Sequence, residues 1–167
     1  MFLITGAMAA GKSTVASLLA ARLPKAAHVR GDAFRRMIVS GRPASADPAL
    51  LSLRYRLAAM TADEYARAGY TPVVQDVILG PDLADVVAMI TTRPLHVVVL
   101  APSVSVLAAR EARRAKQGYG EWTPAELDRS LREDTPRLGL WLDTSDQTPD
   151  ETVDTLLANL PAARVTC

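Results

Sequence analysis

Five short apolar runs alternate along the chain with longer stretches in which apolar positions recur at helical spacing. That alternation predicts an α/β fold, a parallel sheet with helices on both faces. The first run, Phe2 to Thr5, leads into a helix over Lys12 to Arg22 that stops before Pro24, because a residue preceding proline resists the α region. A strand over Ala26 to Arg30 reaches Gly31-Asp32, and a short helix is expected over Ala33 to Val39. Asp47-Pro48 supplies a cap and a first-turn proline for a long helix closed by Gly69, with Leu50, Leu53, Leu57 and Met60 as its apolar stripe.

The second half repeats the pattern. Pro72 to Val77 reads as a buried strand containing Asp76, followed by a helix over Asp82 to Ile90, and Pro94 to Leu100 is the next strand. A helix from Ser103 carries Arg110, Arg113 and Arg114, then Gly118 and Gly120 interrupt it. Thr123-Pro-Ala-Glu126 and Thr148-Pro-Asp-Glu151 each have the capping-box signature, on either side of a weak last strand over Leu138 to Asp143. With no linker or repeat in view, residues 1–167 are expected to form one domain, with a lid over about 110–126.

Composition narrows the partners. Nineteen Lys and Arg balance eighteen Asp and Glu, so no broad basic surface points to nucleic acid or an acidic membrane. The single cysteine, Cys167, excludes an intramolecular disulfide and a cysteine-based zinc site, which fits a reducing cytoplasm. No apolar run approaches the roughly 20 residues that span a bilayer, and the apolar start at Met1 is far shorter than a secretory segment. A small-molecule partner is expected, and the oligomeric state is left open.

The chemistry concentrates in Gly6-Ala7-Met8-Ala9-Ala10-Gly11-Lys12-Ser13, a complete GxxxxGK[ST] between a predicted strand and a predicted helix. The glycines let the backbone wrap a phosphate, so that the N–H groups of Gly6, Ala7, Ala9, Ala10, Gly11, Lys12, Ser13 and Thr14 and the helix dipole converge on the anion. Lys12 bridges the β- and γ-phosphates and the Ser13 hydroxyl ligates Mg²⁺. ATP and Mg²⁺ are therefore the expected ligands.

Ligands of an open parallel sheet lie at the carboxyl ends of its strands, where both Asp32 and Asp76 fall. If the third strand neighbours the first, Asp76 holds Mg²⁺ beside Ser13, and Asp32, one strand further out, overhangs the acceptor as general base. The plain alternatives are an N-cap for Asp32 and a turn residue for Asp76. The Asp32 charge favours a neutral hydroxyl acceptor over a phosphate. Arg110 and Arg114, one helical turn apart before the glycine hinges, form a face able to close over a transferring phosphoryl group, against the alternative of a solvated basic helix.

The loop Gly6 to Ser13, the Gly31-Asp32 turn, the Val77 to Gly80 run after Asp76, and Arg110 with Arg114 resemble the small-molecule kinases of the P-loop fold, most closely the chloramphenicol phosphotransferase-like group. The resemblance spans nearly the whole chain. It implies a three-layer sandwich with a five-stranded parallel sheet ordered 2-3-1-4-5, ATP as donor, an acceptor hydroxyl facing Asp32, and adenine between the arginine helix and the loop Thr144 to Thr148. A further lid arginine of that group is replaced here by Lys116 or Gln117. The implied activity is transfer of the γ-phosphoryl group to a hydroxyl of a small molecule, an antibiotic or another natural product among the candidates. A nucleoside, nucleotide or sugar-nucleotide kinase, or a nucleotide-dependent switch, stands as the alternative.

Overall fold

Valine- and leucine-rich runs become central strands because both of their faces are covered by helices. The computed structural model describes residues 1–41, 43–44, 47–113 and 122–166. In chain order these form β1 (Phe2–Gly6), α1 (Lys12–Arg22), β2 (Ala26–Arg30), α2 (Gly31–Arg36), α3 (Pro48–Arg67) and β3 (Thr71–Gln75). Then follow α4 (Asp82–Met89), β4 (Leu95–Leu100), α5 (Val104–Ala112), α6 (Pro124–Arg129), β5 (Leu140–Leu142), α7 (Pro149–Ala158), α8 (Leu160–Ala163) and β6 (Arg164–Val165). A π-helical turn, Ser130–Asp134, continues α6.

The sheet runs β2-β3-β1-β4-β5, all parallel, which is the expected order. A sixth strand was not foreseen: β6 lies antiparallel to β4, with Leu95 opposite Val165 and His96 opposite Arg164. Two residues have no readable period, so only the tertiary contact reveals it.

The alternation of side chains divides the core in two. Leu3, Val74, Val97 and Val99 face a cluster with Tyr55, Ala58, Ala62, Leu83, Val86 and Leu131 from α3, α4 and the π turn. Phe2, Ile4, Val73, Val98 and Leu100 face Val15, Leu19, Leu107, Leu127, Val153 and Leu156 from α1, α5, α6 and α7. The helix starts follow the sequence: Asp47 accepts from the Leu50 N–H, and both capping boxes, Thr123–Glu126 and Thr148–Glu151, close reciprocally.

Helix α3 corrects the expected stripe. Leu50 is buried, but Leu53 and Met60 are exposed, and the covered face consists of Arg54, Tyr55, Ala58, Ala59, Ala62 and Asp63. Small alanines let the helix approach the sheet, and its two buried charges are partnered. Asp63 accepts from the backbone N–H and the hydroxyl of both Thr91 and Thr92, at 2.7–3.0 Å, tying α3 to the loop before β4.

Candidate active site

The turn between β1 and α1 is tight. Gly6 has φ +145°, and a β-carbon there would meet the Leu100 carbonyl oxygen at 2.4 Å, so only glycine fits beside β4. Gly11, at φ +94°, is the N-cap of α1, and Ala9 adopts a left-handed φ of 62° that non-glycine residues rarely occupy. The Lys12 ammonium is buried and donates to the carbonyls of Gly6 at 3.0 Å and Ala7 at 2.8 Å, folding its own loop around the charge. Ala7 and Ala10 are buried under the loop, while Ser13 and Thr14 are exposed at the start of α1.

A cavity of about 260 Å³ opens beside this loop, lined by Ala10, Gly11, Thr14, Arg110, Thr144 and Gln147 among others. Arg110 spans it, donating from Nη1 to the Ala10 carbonyl at 3.4 Å and from Nη2 to the Thr144 carbonyl at 3.0 Å. It thus links the β1–α1 turn to the segment after β5. Helix α5 ends at Ala112, with Arg113 as its exposed C-cap. Arg114, and with it residues 114–121 of the expected lid, lies outside the described residues.

Asp76 follows the last residue of β3, next to β1 in the sheet. Its backbone N–H bonds the Ile4 carbonyl, and Thr5 staples the following loop by donating to the Ile78 carbonyl at 2.7 Å and accepting from the Ile78 N–H at 3.0 Å. The Asp76 carboxylate is buried. Oδ1 accepts from Arg54 Nη2 at 2.5 Å and from the Val77 N–H at 2.8 Å, and Oδ2 accepts from Arg54 Nε at 3.1 Å. Burial pushes its pKa up, against the pull of Arg54, the Val77 N–H and Lys12. Gly31 is the contact that permits this packing: a β-carbon there would come within 2.0 Å of Asp76 Oδ2.

Asp32 sits in the first turn of α2, which begins at Gly31, two residues before the expected start. The N-cap is Arg30 and no side chain caps this helix, so the Asp32 carboxylate does not do so. Instead Oδ2 pairs with Arg36 Nη1 at 2.8 Å, and Arg30 Nε stands 3.7 Å from Oδ1, an atom shielded from solvent and without a hydrogen-bond partner. The side chain as a whole is half-exposed.

Mg²⁺ requires oxygen donors and keeps several of its own waters. The exposed Ser13 hydroxyl would fit that need directly. Asp76 would fit it through water, since both of its oxygens already accept hydrogen bonds and direct ligation would displace Arg54. Among the described residues no group of three His, Cys, Asp or Glu could form a separate metal site.

The loop, Asp76 and Arg110 lie on the carboxyl side of the sheet, and what holds the Asp76 carboxylate there is Arg54. The pairing of Arg54 with Asp76 was not legible from the chain. The signal was there: Arg54 lies one turn from both Leu50 and Ala58, on the alanine face of α3.

A glycine-bearing turn that opens into a helix at the centre of a parallel sheet, with a lysine folded over it, defines a nucleotide-binding P-loop of the kinase fold. The AAA_33 family, an AAA domain, matches residues 1–136, and the chain belongs to it. No curated protein matches the chain in sequence. Among solved structures, a sugar kinase from Janibacter sp. HTCC2649 is 22% identical with a TM-score of 0.71, over 97% of this chain and 94% of its own. The APS kinase CysC of Mycobacterium tuberculosis, in complex with AMPPNP and APS, is 19% identical with a TM-score of 0.73, over 96% of each chain. The tunicamycin resistance protein of Deinococcus radiodurans is 18% identical with a TM-score of 0.64, over 99% of this chain and 98% of its own. These likenesses establish the fold. No helix among the described residues is long and apolar enough to cross a membrane.

Proposed function

We propose that this protein is an ATP-dependent phosphotransferase that moves the γ-phosphoryl group of ATP to a hydroxyl of a small molecule in the cytoplasm. The observation that carries the reading is the alignment of three features on one sheet edge. These are a P-loop with its Ser13 and Thr14 hydroxyls exposed, an adjoining cavity of about 260 Å³, and two aspartates at the ends of the strands beyond β1. The likeness to a sugar kinase and an APS kinase supports it.

In this reading the backbone N–H groups of Gly6 to Thr14 hold the donor phosphates, and Lys12 exchanges its loop carbonyls for the β- and γ-phosphates. Ser13 and Asp76 are the residues that would hold Mg²⁺, which would supply neutralisation of phosphate charge. The base and ribose occupy the cavity under Arg110. The acceptor oxygen attacks the γ-phosphorus, the bond from phosphorus to the bridging oxygen of ADP breaks, and the hydroxyl proton passes to Asp32 Oδ1, the carboxylate oxygen without a hydrogen-bond partner. Arg114 belongs to the lid that completes the site. The chloramphenicol phosphotransferase-like resemblance, with the tunicamycin resistance neighbour, is the reason to try antibiotics and other natural products first as acceptors.

The test is incubation with Mg–ATP and a panel of antibiotics, sugars and nucleosides, read by mass spectrometry for the gain of one phosphate. Alcohol-dependent product is expected. ATP hydrolysis that no alcohol diverts into product would replace the phosphotransferase with a nucleotide-dependent switch.

A further inference from the structure

Helix α3 keeps part of its apolar stripe outside the core. Its packed face runs through Arg54, Ala58 and Ala62, while on the opposite side Met60 is 64% exposed and Leu53 39%. Arg56, Glu64 and Arg67 are exposed on the same helix. Single exposed apolar residues are ordinary on a protein surface. Here they lie between charges of opposite sign at matched distances.

At about 100° and about 1.5 Å per residue, Arg56 lies about 6 Å before Met60 along the helix and about 40° to one side, and Glu64 lies about 6 Å after it and about 40° to the other. A twofold axis through Met60, perpendicular to the helix, exchanges those two positions. Two copies of α3 set face to face about that axis run antiparallel, Met60 against Met60, and Arg56 of each copy meets Glu64 of the other. Leu53 and Arg67 stand seven residues to either side of Met60, so the same axis lays the methylene stem of Arg67 over the leucine of the second copy. The charges are available for this. No ion pair among the described residues includes Arg56, and Glu64 pairs with its own-helix neighbour Arg67 through Oε1, which leaves Oε2.

We propose that the outer face of α3 docks a second copy of this chain in an antiparallel, twofold-symmetric pair centred on Met60. Such a face is self-complementary, as a closed twofold dimer requires. The twenty residues of α3 extend about 30 Å, and one helix pair of that length lies at the small end of specific interfaces, which sets self-association in the micromolar to millimolar range. None of the residues lining the nucleotide cavity belongs to α3, and Arg54 holds Asp76 from the packed face, so the contact is independent of what the site transfers.

Sedimentation of the full chain across that concentration range tests it. A concentration-dependent dimer is expected. Arg56→Glu and Glu64→Arg each turn two attractions into two repulsions and are expected to raise the dimer Kd by about tenfold. Met60→Asp, which sets two carboxylates together on the axis, is expected to raise it at least as far. An equimolar mixture of the Arg56→Glu and Glu64→Arg proteins is expected to associate as tightly as the unaltered chain, because the mixed pair restores both contacts, an effect that damage to one fold could not produce. Far-UV circular dichroism certifies the fold of each variant without reference to nucleotide or activity. A chain monomeric throughout, a dimer that Met60→Asp leaves intact, or single reversals that the mixture fails to rescue overturns the proposal.

Discussion

Arg54 of α3 grips both oxygens of Asp76, from Nη2 at 2.5 Å and from Nε at 3.1 Å, in a pair that is nearly closed to water. This contact joins the helix layer to the sheet edge on which the P-loop stands. It also fixes the direction in which the carboxylate points, since both oxygens and the Val77 N–H are engaged.

Breaking that pair from one side strands the other charge. Arg54→Leu is expected to lower stability by about 3–5 kcal/mol, as for other half-removed buried ion pairs. Urea unfolding at neutral pH measures it. A loss under about 1 kcal/mol would mean that water reaches Asp76 and solvates it.

The two aspartates are expected to separate kinetically. Asp32→Asn keeps the side chain's size and removes the proton acceptor, so transfer falls by about 10²- to 10⁴-fold with nucleotide affinity nearly unchanged. The loose transition state of phosphoryl transfer favours the lower figure. Asp76→Asn instead raises the Mg²⁺ requirement and weakens nucleotide binding. Titration of Mg–ATP binding beside steady-state transfer decides the matter, and full activity in Asp32→Asn would remove the base.

Lys12→Ala is expected to fold and to lose ATP-dependent turnover, because among the described residues no other ammonium reaches the loop carbonyls of Gly6 and Ala7. Arg110→Ala removes the link between Ala10 and Thr144 and is expected to weaken nucleotide binding by about tenfold. Equilibrium binding of a fluorescent ATP analogue reports both. Unaltered affinity in Arg110→Ala, with kcat alone reduced, would move Arg110 from the donor cavity to the transferring phosphate.

Asp63 gives a pH-dependent prediction. Burial alone would raise its pKa, but the hydrogen bonds from Thr92 and Thr91 outweigh burial and hold it below the usual carboxylate value. A carboxyl depressed in the folded state stabilises above its unfolded pKa of about 3.9, and the contribution is lost as pH falls through the folded value. Below about pH 4 the native protein is therefore expected to lose stability more steeply than Asp63→Asn. Chemical denaturation of both across the acid range tests the difference, and parallel curves would rule out this linkage.

What the sequence determined by itself was local. The P-loop spacing, the caps at Asp47, Thr123 and Thr148, each followed by proline, and the β-branched runs each encode their structure within a few residues, and each forms as read. The strand order followed from the resemblance to P-loop kinases. Tertiary structure decided which face of α3 is covered, because helical period marks a stripe at Leu53 and Met60 but packing against the sheet selects the small side chains of Ala58 and Ala62. It decided that Asp76 meets Arg54, residues 22 apart in sequence, and that Gly31 must lack a side chain to allow it. It likewise turned Asp32 from a candidate cap into an ion-paired carboxylate, since α2 starts at Gly31 and draws Arg30 and Arg36 to it. Pairings of that kind depend on where separate elements converge in space, and hydrophobic period along the chain carries no record of them.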